Sequence, residues 1–253
     1  MKIDYISDLH LDFHVSMQSI SQEAKTFEFL SKLLPEELGD ILIIAGDLSH
    51  DNQQSYWILN FFSTVYEQVL FVLGNHDYYL LPGEQQLKFA QDSKERETDL
   101  LTRVKALPNV MYLSCFETFK YGGVTFAGAT SWYPLQTERE RRLFYNSMND
   151  SRLIKGMDIA ATHLVEMQAF EQLKPVDVLI THVPPTKINS HDYFGSTDCF
   201  LNKLPSSAAK VFIFGHSHEQ QTYEKDDAIY CINALGYPRE GLAQKICSVT
   251  VIA

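Results

Sequence analysis

The sequence predicts an α/β fold with mixed sheets, on three observations. Five apolar runs rich in β-branched residues, 3–6, 41–45, 69–73, 176–180 and 211–214, are four or five residues long. That is the length and composition of strands buried on both faces. Segments with helical periodicity separate the early runs, and strands alternating with helices form βαβ units. Later runs at 110–113, 124–127, 228–232 and 246–252 are spaced as hairpin or meander strands, which adds antiparallel pairing.

The helices come in order. Phe27, Leu30 and Leu34 recur at i, i+3 and i+7, with Ser21 placed as an N-cap and Pro35 as a stop. Residues 53–68 are helix-length and rich in aromatic side chains. Residues 84–107 read as one charged helix with Leu87, Leu100, Val104 and Leu107 on its apolar side. Glu138 and Glu140 interleave with Arg139, Arg141 and Arg142, the pattern of a solvated helix face, with a phosphate-binding edge as the functional alternative. Residues 158–173 form a further helix, in which His163 is expected to face solvent.

Composition narrows the class. Hydrophobic residues make up 45% of the chain and charged residues 21%, which excludes a disordered or collagen-like polymer. No repeat or linker marks a boundary, so residues 1–253 are expected to form a single domain. No apolar stretch reaches the roughly 18 residues of a membrane helix. Asp4 and Asp8 stand where a signal peptide would place its apolar core. No two of Cys115, Cys199, Cys231 and Cys247 lie within four residues of each other. Reduced thiols and a cytoplasmic location are therefore expected. Lys and Arg number 21 against 32 Asp and Glu, a formal charge of −11 that argues against duplex nucleic acid and anionic membrane as partners.

The residues just after each buried run carry the chemistry. Run 3–6 leads into Ser7-Asp8-Leu9-His10, run 41–45 into Gly46-Asp47, and run 69–73 into Gly74-Asn75-His76-Asp77. Run 176–180 leads into Thr181-His182, and run 211–214 into Gly215-His216-Ser217-His218. Open α/β sheets place their sites at the carboxyl ends of strands. Five of the nine histidines fall in these motifs. Imidazole, carboxylate and amide oxygen without thiolate suit Mn, Fe or Zn in a mixed N/O site. Asp8, His10, Asp47, Asn75, His182, His216 and His218 are too many ligands for one first-row ion with an open position. Two divalent or trivalent ions, Mn foremost, accommodate them.

The ordered series DLH, GD, GNHD, TH and GHSH resembles the calcineurin-like metallophosphoesterase superfamily over nearly the whole chain, Asp8 to His218. The resemblance implies a four-layer α/β/β/α sandwich, two mixed β-sheets flanked by helices. It implies Asp8, His10, Asp47 and His218 on one metal, and Asp47, Asn75, His182 and His216 on the other, with Asp47 bridging. It further implies His76 as an acid near the leaving group, oriented by Asp77. The stretches 128–132, 148–150 and 234–237 are similar to those of a bacterial and phage branch of the family.

The expected reaction is phosphomonoester or phosphodiester hydrolysis. Two ions hold the phosphoryl oxygens and lower the pKa of a water between them, and His76 protonates the departing oxygen. Phosphoprotein phosphatases of the family continue the bridging Asp into GDxxDRG, whose Arg grips phosphate. Here residues 46–52 read GDLSHDN, without that Arg, which weighs against a Ser/Thr phosphoprotein phosphatase. A non-catalytic scaffold, such as the family member in the retromer complex, is opposed by the intact His76 and ligand set. No HExxH or HxHxDH occurs, which disfavours other metallohydrolases.

Selectivity must come from loops over the crevice. Trp132, Asn149 and His191 are the candidate substrate contacts, with plain packing the competing role for Trp132 and Tyr133. His50 and His191 otherwise read as ordinary surface histidines. Aromatic and amide side chains suit a small nucleotide or metabolite as the phosphorylated partner.

Overall fold

The computed structural model describes residues 1–18, 20–187 and 200–252. Cys199 and the candidate substrate contact His191 lie outside the described residues. The first sheet contains β1 (Lys2–Ile6), β2 (Ile41–Ala45), β3 (Gln68–Val72), β4 (Val110–Tyr112) and β11 (Cys247–Thr250), in the order β11-β1-β2-β3-β4. Its pairs are parallel except that β11 runs antiparallel to β1. The second contains β5 (Glu117–Tyr121), β6 (Val124–Ala129), β7 (Val176–Thr181), β8 (Ala209–Phe214), β9 (Gln220–Lys225) and β10 (Ala228–Asn233), in the order β5-β6-β7-β8-β10-β9. There β6, β7, β8 and β10 are parallel, and β5 and β9 pair antiparallel at the edges. Both sheets are mixed, as expected.

Side-chain alternation distributes each central strand between two cores. Ile41, Ile43, Leu70 and Val72 meet Phe126, Val178, Ile180, Val211 and Ile213 between the sheets. Leu42, Ile44, Val69 and Phe71 face the other way. There they pack beneath helices α2 (Gln22–Ser31), α3 (Asn52–Ser63) and α5 (Ser93–Val104), which contribute Leu30, Ile58, Leu59, Phe62, Leu100 and Val104. Leu179, Phe212 and Phe214 turn outward to a third cluster, where Met167 and Phe170 of α8 (Ile159–Gln172) pack. Two sheets face to face with helices outside give four layers. No helix among the described residues is long and apolar enough to cross a membrane.

Several boundaries differ from the sequence reading. Ser21 precedes α2, but it sits at φ 61° and its side chain makes no cap bond. The helix expected over 53–68 is α3, capped by Asp51, whose side chain accepts the N–H groups of Gln53 and Gln54; Gln68 already belongs to β3. The single helix expected over 84–107 is two, α4 (Glu84–Lys88) and α5. Ala90 and Gln91 take left-handed backbone between them, Asp92 caps α5, and Leu87 is exposed. The short α1 (Leu11–His14) and the polar edge strands β5 and β9 carry no apolar run to announce them. Helices α6 (Glu138–Ser147) and α7 (Asp150–Leu153) complete the set, and Arg139, Arg141 and Arg142 of α6 are exposed.

His163 does not face solvent. It is buried on α8, and its Nδ1 lies 2.6 Å from the Trp132 carbonyl oxygen, which corrects the expectation. One turn on, Glu166 accepts the backbone N–H groups of Ser131 (3.2 Å) and Trp132 (2.7 Å). Burial pushes the Glu166 carboxyl from an ordinary 4.5 up to about 7. A carboxylate raised in the folded state contributes stability that is fully present below its unfolded value and is lost as pH rises through about 7. Between pH 5 and pH 8 this group should therefore remove up to about 3 kcal/mol of unfolding free energy. Glu166→Gln, which cannot titrate, should flatten the slope in denaturant titrations at the two pH values. An unchanged slope would contradict the assignment.

Candidate metal centre and active site

The loops after β1, β2, β3, β7 and β8 converge at one edge of the sandwich. Their backbones are tied directly: Asp8 N–H donates to Gly46 O, His10 N–H to Asp47 O, and Gly215 N–H to His182 O, each at 3.0 Å. Asp8, His10, Asp47, His216 and His218 all hold left-handed backbone, with φ between 39° and 70°. Such geometry costs on the order of 1–3 kcal/mol per residue and persists where the surroundings over-determine it. Two glycines make the approach possible. A Cβ at Gly74 would overlap Asp47 Oδ1, and one at Gly215 would sit 2.8 Å from both Asp8 Oδ2 and Ala45 O.

All seven predicted ligands come together in two groups around Asp47. Its Oδ2 lies 3.5 Å from His10 Nε2 on one side and 3.4 Å from His182 Nε2 on the other. On the first side, His10 Nε2 is 3.0 Å from His218 Nε2, which lies 3.8 Å from Asp8 Oδ1. On the second, Asn75 Oδ1 lies 2.9 Å from His182 Nε2 and 3.2 Å from His216 Nδ1. Lone-pair donors facing one another at these spacings suit a shared cation. Electrostatics agree. Burial, then Asp77 and Asp8, raises Asp47 well above the usual carboxylate range. Burial, then neighbouring imidazoles, holds His10, His76 and His216 well below the usual histidine range, favouring the neutral ring that metals require. Burial opposes the His218 cation too, but the hydrogen bond to Glu240 raises its pKa. The donor set fits divalent metal.

Behind the donors stands a layer of orienting groups. Asn75 Nδ2 donates to Asp150 Oδ1 at 2.9 Å and to Tyr79 Oη at 3.1 Å, which turns its Oδ1 toward the two histidines. The hydroxyls of Tyr79 and Tyr133 both donate to Asp150 as well. His76 is half-buried beside the cluster, and ligand atoms of His10, Asp47 and His76 lie within 4.8 Å of one another. The expected pairing of Asp77 with the His76 ring is not what forms. Asp77 accepts backbone N–H groups from Gly74 (2.8 Å), Asp47 (2.9 Å) and Leu48 (3.0 Å), so it fastens the β2 and β3 loops together. The His76 ring meets His50 instead, with 2.9 Å between His76 Nδ1 and His50 Nε2. His50 is only 7% exposed, not the surface histidine expected.

The calcineurin-like phosphoesterase family matches this sequence over residues 1–220. The chain belongs to that family. It is a metallophosphoesterase, a hydrolase of phosphate esters, and the clustered groups agree with the family's dependence on metal. An uncharacterized protein, L509, of Acanthamoeba polyphaga mimivirus is 24% identical over 93% of this chain and 91% of its own. Among solved structures, the phosphopantetheinyl hydrolase of Mycobacterium tuberculosis superposes with a TM-score of 0.67 at 18% identity, covering 94% of this chain and 90% of that one. TT1561 of Thermus thermophilus superposes with a TM-score of 0.57 at 11% identity, over 98% of each chain. These likenesses show a shared fold.

One expected substrate contact of this phosphoesterase falls in the core. Trp132 is 1% exposed, its ring against Tyr78 and Tyr133, because the Glu166 and His163 bonds draw its backbone into the core. Asn149 is exposed at the start of α7, where its Oδ1 accepts from Arg152 at 2.8 Å; its neighbour Asp150 turns inward to the centre. The rim residues overlooked are Phe13 and Tyr237. Tyr237 stacks on His10 at 4.6 Å between ring centres, and Phe13, 52% exposed, meets it edge-on at 4.8 Å. Tyr237 falls in the family-like 234–237 stretch, and Phe13 lies three residues after His10, which is the signal that could have found them.

Proposed function

We propose that this chain is a dinuclear metal-dependent phosphoesterase acting on a small phosphorylated compound, a nucleotide or metabolite, as monoester or diester. The observation that carries the reading is Asp47 Oδ2, which lies within 3.5 Å of one histidine from each donor group. Asp8, His10 and His218 would hold one ion, Asn75, His182 and His216 the other, and Asp47 both. Bound there, divalent cations supply charge neutralisation of the phosphoryl group and an activated water. Asp47 serves both donor groups, Asn75 presents its amide oxygen, and His76 Nε2 delivers a proton to the departing ester oxygen. Manganese is the favoured metal, with iron or zinc suited to the same donors. The free thiols of Cys115, Cys231 and Cys247 support a cytoplasmic enzyme. Loss of the phosphate-gripping Arg disfavours phosphoprotein, and the complete donor set disfavours a scaffold.

Elemental analysis after chelator treatment and Mn²⁺ reloading should find two ions per chain, and Asp47→Asn should abolish both tight binding and turnover. Loading at about 100 times Kd should stabilise the fold by about 2.7 kcal/mol for each site filled. Full turnover in excess chelator, or a single ion per chain, would overturn the dinuclear reading. A panel of monoesters, diesters, cyclic nucleotides, dinucleoside polyphosphates and phosphoprotein tests the substrate class. Phosphoprotein emerging as the best substrate would refute it.

A further inference from the structure

The contact between His76 and His50 extends one step further. His50 Nδ1 lies 2.8 Å from Asp12 Oδ2, and the other Asp12 oxygen accepts the His50 backbone N–H at 3.1 Å. The His50 carbonyl is held in turn by Gln85 Nε2 at 2.6 Å. Tyr79 packs along both rings, 5.8 Å from His50 at an interplanar angle of 14° and 4.2 Å from His76. The second imidazole is therefore gripped on its backbone, on its face and at both nitrogens.

We infer that Asp12 and His50 are a positioning pair that fixes the orientation of the His76 ring and leaves Nε2 as the nitrogen presented to the leaving group. Donor and acceptor chemistry dictates this. An ionised carboxylate only accepts, so the hydrogen of His50 Nδ1 points at Asp12. The remaining His50 nitrogen then shares a hydrogen bond with His76 Nδ1, whichever ring donates. In either arrangement His76 Nδ1 is engaged, and Nε2 alone is free for the crevice. Asp77, the residue next to His76, is committed to three backbone N–H groups and cannot take this part. The pair does not touch the phosphate, and its effect on the reaction runs through His76.

The inference rests on His76 being the proton donor, and the test separates the two. Turnover of the phenyl and p-nitrophenyl esters, in whichever ester class the panel selects, is compared for wild type, His76→Ala, His50→Ala, His50→Gln and Asp12→Asn. The His50→Ala change should lower kcat on the phenyl ester by about 10- to 100-fold, with KM and metal content held and the p-nitrophenyl ester nearly unaffected. Asp12→Asn should act in the same direction. His50→Gln, whose amide reaches toward the His76 nitrogen, should recover much of the loss. Imidazole ¹⁵N spectra of the metal-free protein give a second readout. His76 should show one hydrogen-bonded Nδ1 in the wild type and mixed tautomers in His50→Ala. If His76→Ala depends on the leaving group and His50→Ala does not, the positioning pair is overturned alone. If His76→Ala shows no such dependence, the acid assignment fails and the pair falls with it. Loss of bound metal in His50→Ala would also overturn the inference, since the side chain would then be supporting the centre itself.

Discussion

His76→Ala is expected to lower kcat by about 10²- to 10⁴-fold on esters with poor leaving groups, with little change in bound metal. Retention of the metal is what decides the role. His76 lies near enough to His10 and Asp47 to be read as a further ligand, since their ligand atoms fall within 4.8 Å of each other. Its neighbours argue otherwise. Its Nδ1 is engaged by His50, and its backbone N–H donates to Asp47 Oδ1 at 2.8 Å, which holds it beside that carboxylate. Burial lowers its pKa in the metal-free protein, and a bound phosphate anion supplies the opposing charge that favours its protonated form. A ligand lost would reduce metal content and slow all substrates alike. A proton donor lost should slow phenyl esters far more than p-nitrophenyl esters, because the nitrophenolate departs without help. Elemental analysis alongside the two rates separates these cases.

Arg96→Ala should destabilise the protein by about 3–5 kcal/mol, a large part of the 5–15 kcal/mol typical of a domain. Arg96 projects from α5 and is 1% exposed. Its guanidinium donates to Ser49 O (2.7 Å), His76 O (2.9 Å), Asn52 Oδ1 (3.0 Å) and the Tyr79 carbonyl. One side chain thus ties the loop after β2 to the turn after β3. Removing it strands several buried acceptors at about 1–3 kcal/mol each, partly offset by water entering the gap. Burial lowers its pKa, and Asp77 foremost among the nearby carboxylates counters that, so the guanidinium stays charged. The melting temperature should fall by about 6–10 °C. Arg96→Lys should lie between, since an ammonium keeps the charge but cannot span the same carbonyls. A variant melting within about 2 °C of wild type would show that the loops are held by other contacts.

The clustering of the expected donors was legible because each hangs on a local pattern. A short β-branched run ends in Asp, Asn or His, and strand period alone places that residue at the carboxyl edge. Asp8, His10, Asp47, Asn75, His182, His216 and His218 needed nothing beyond that, and the mixed sheets followed from run spacing. The helix breaks at Ala90 and Gln91 were not legible, since the apolar pattern on either side is compatible with one continuous helix. Trp132 misled because an aromatic residue in a long loop reads the same whether it faces substrate or the core. Its burial is decided by Glu166 and His163, which lie 34 and 31 residues away.

The groups that orient the donors belong to the tertiary structure alone. His50 meets Asp12 across 38 residues and His76 across 26, Asn75 meets Asp150 across 75, and Arg96 reaches Asn52 across 44. Each is an ordinary polar residue in its own segment, and Asp77 beside His76 was the nearer choice for a partner. Asp77 is instead consumed by three orphan backbone N–H groups in two buried loops, which must be satisfied before any side chain is. What a strand end presents is set by the chain's own period. What stands behind it is set by which buried donors and acceptors, brought together by packing, still lack partners.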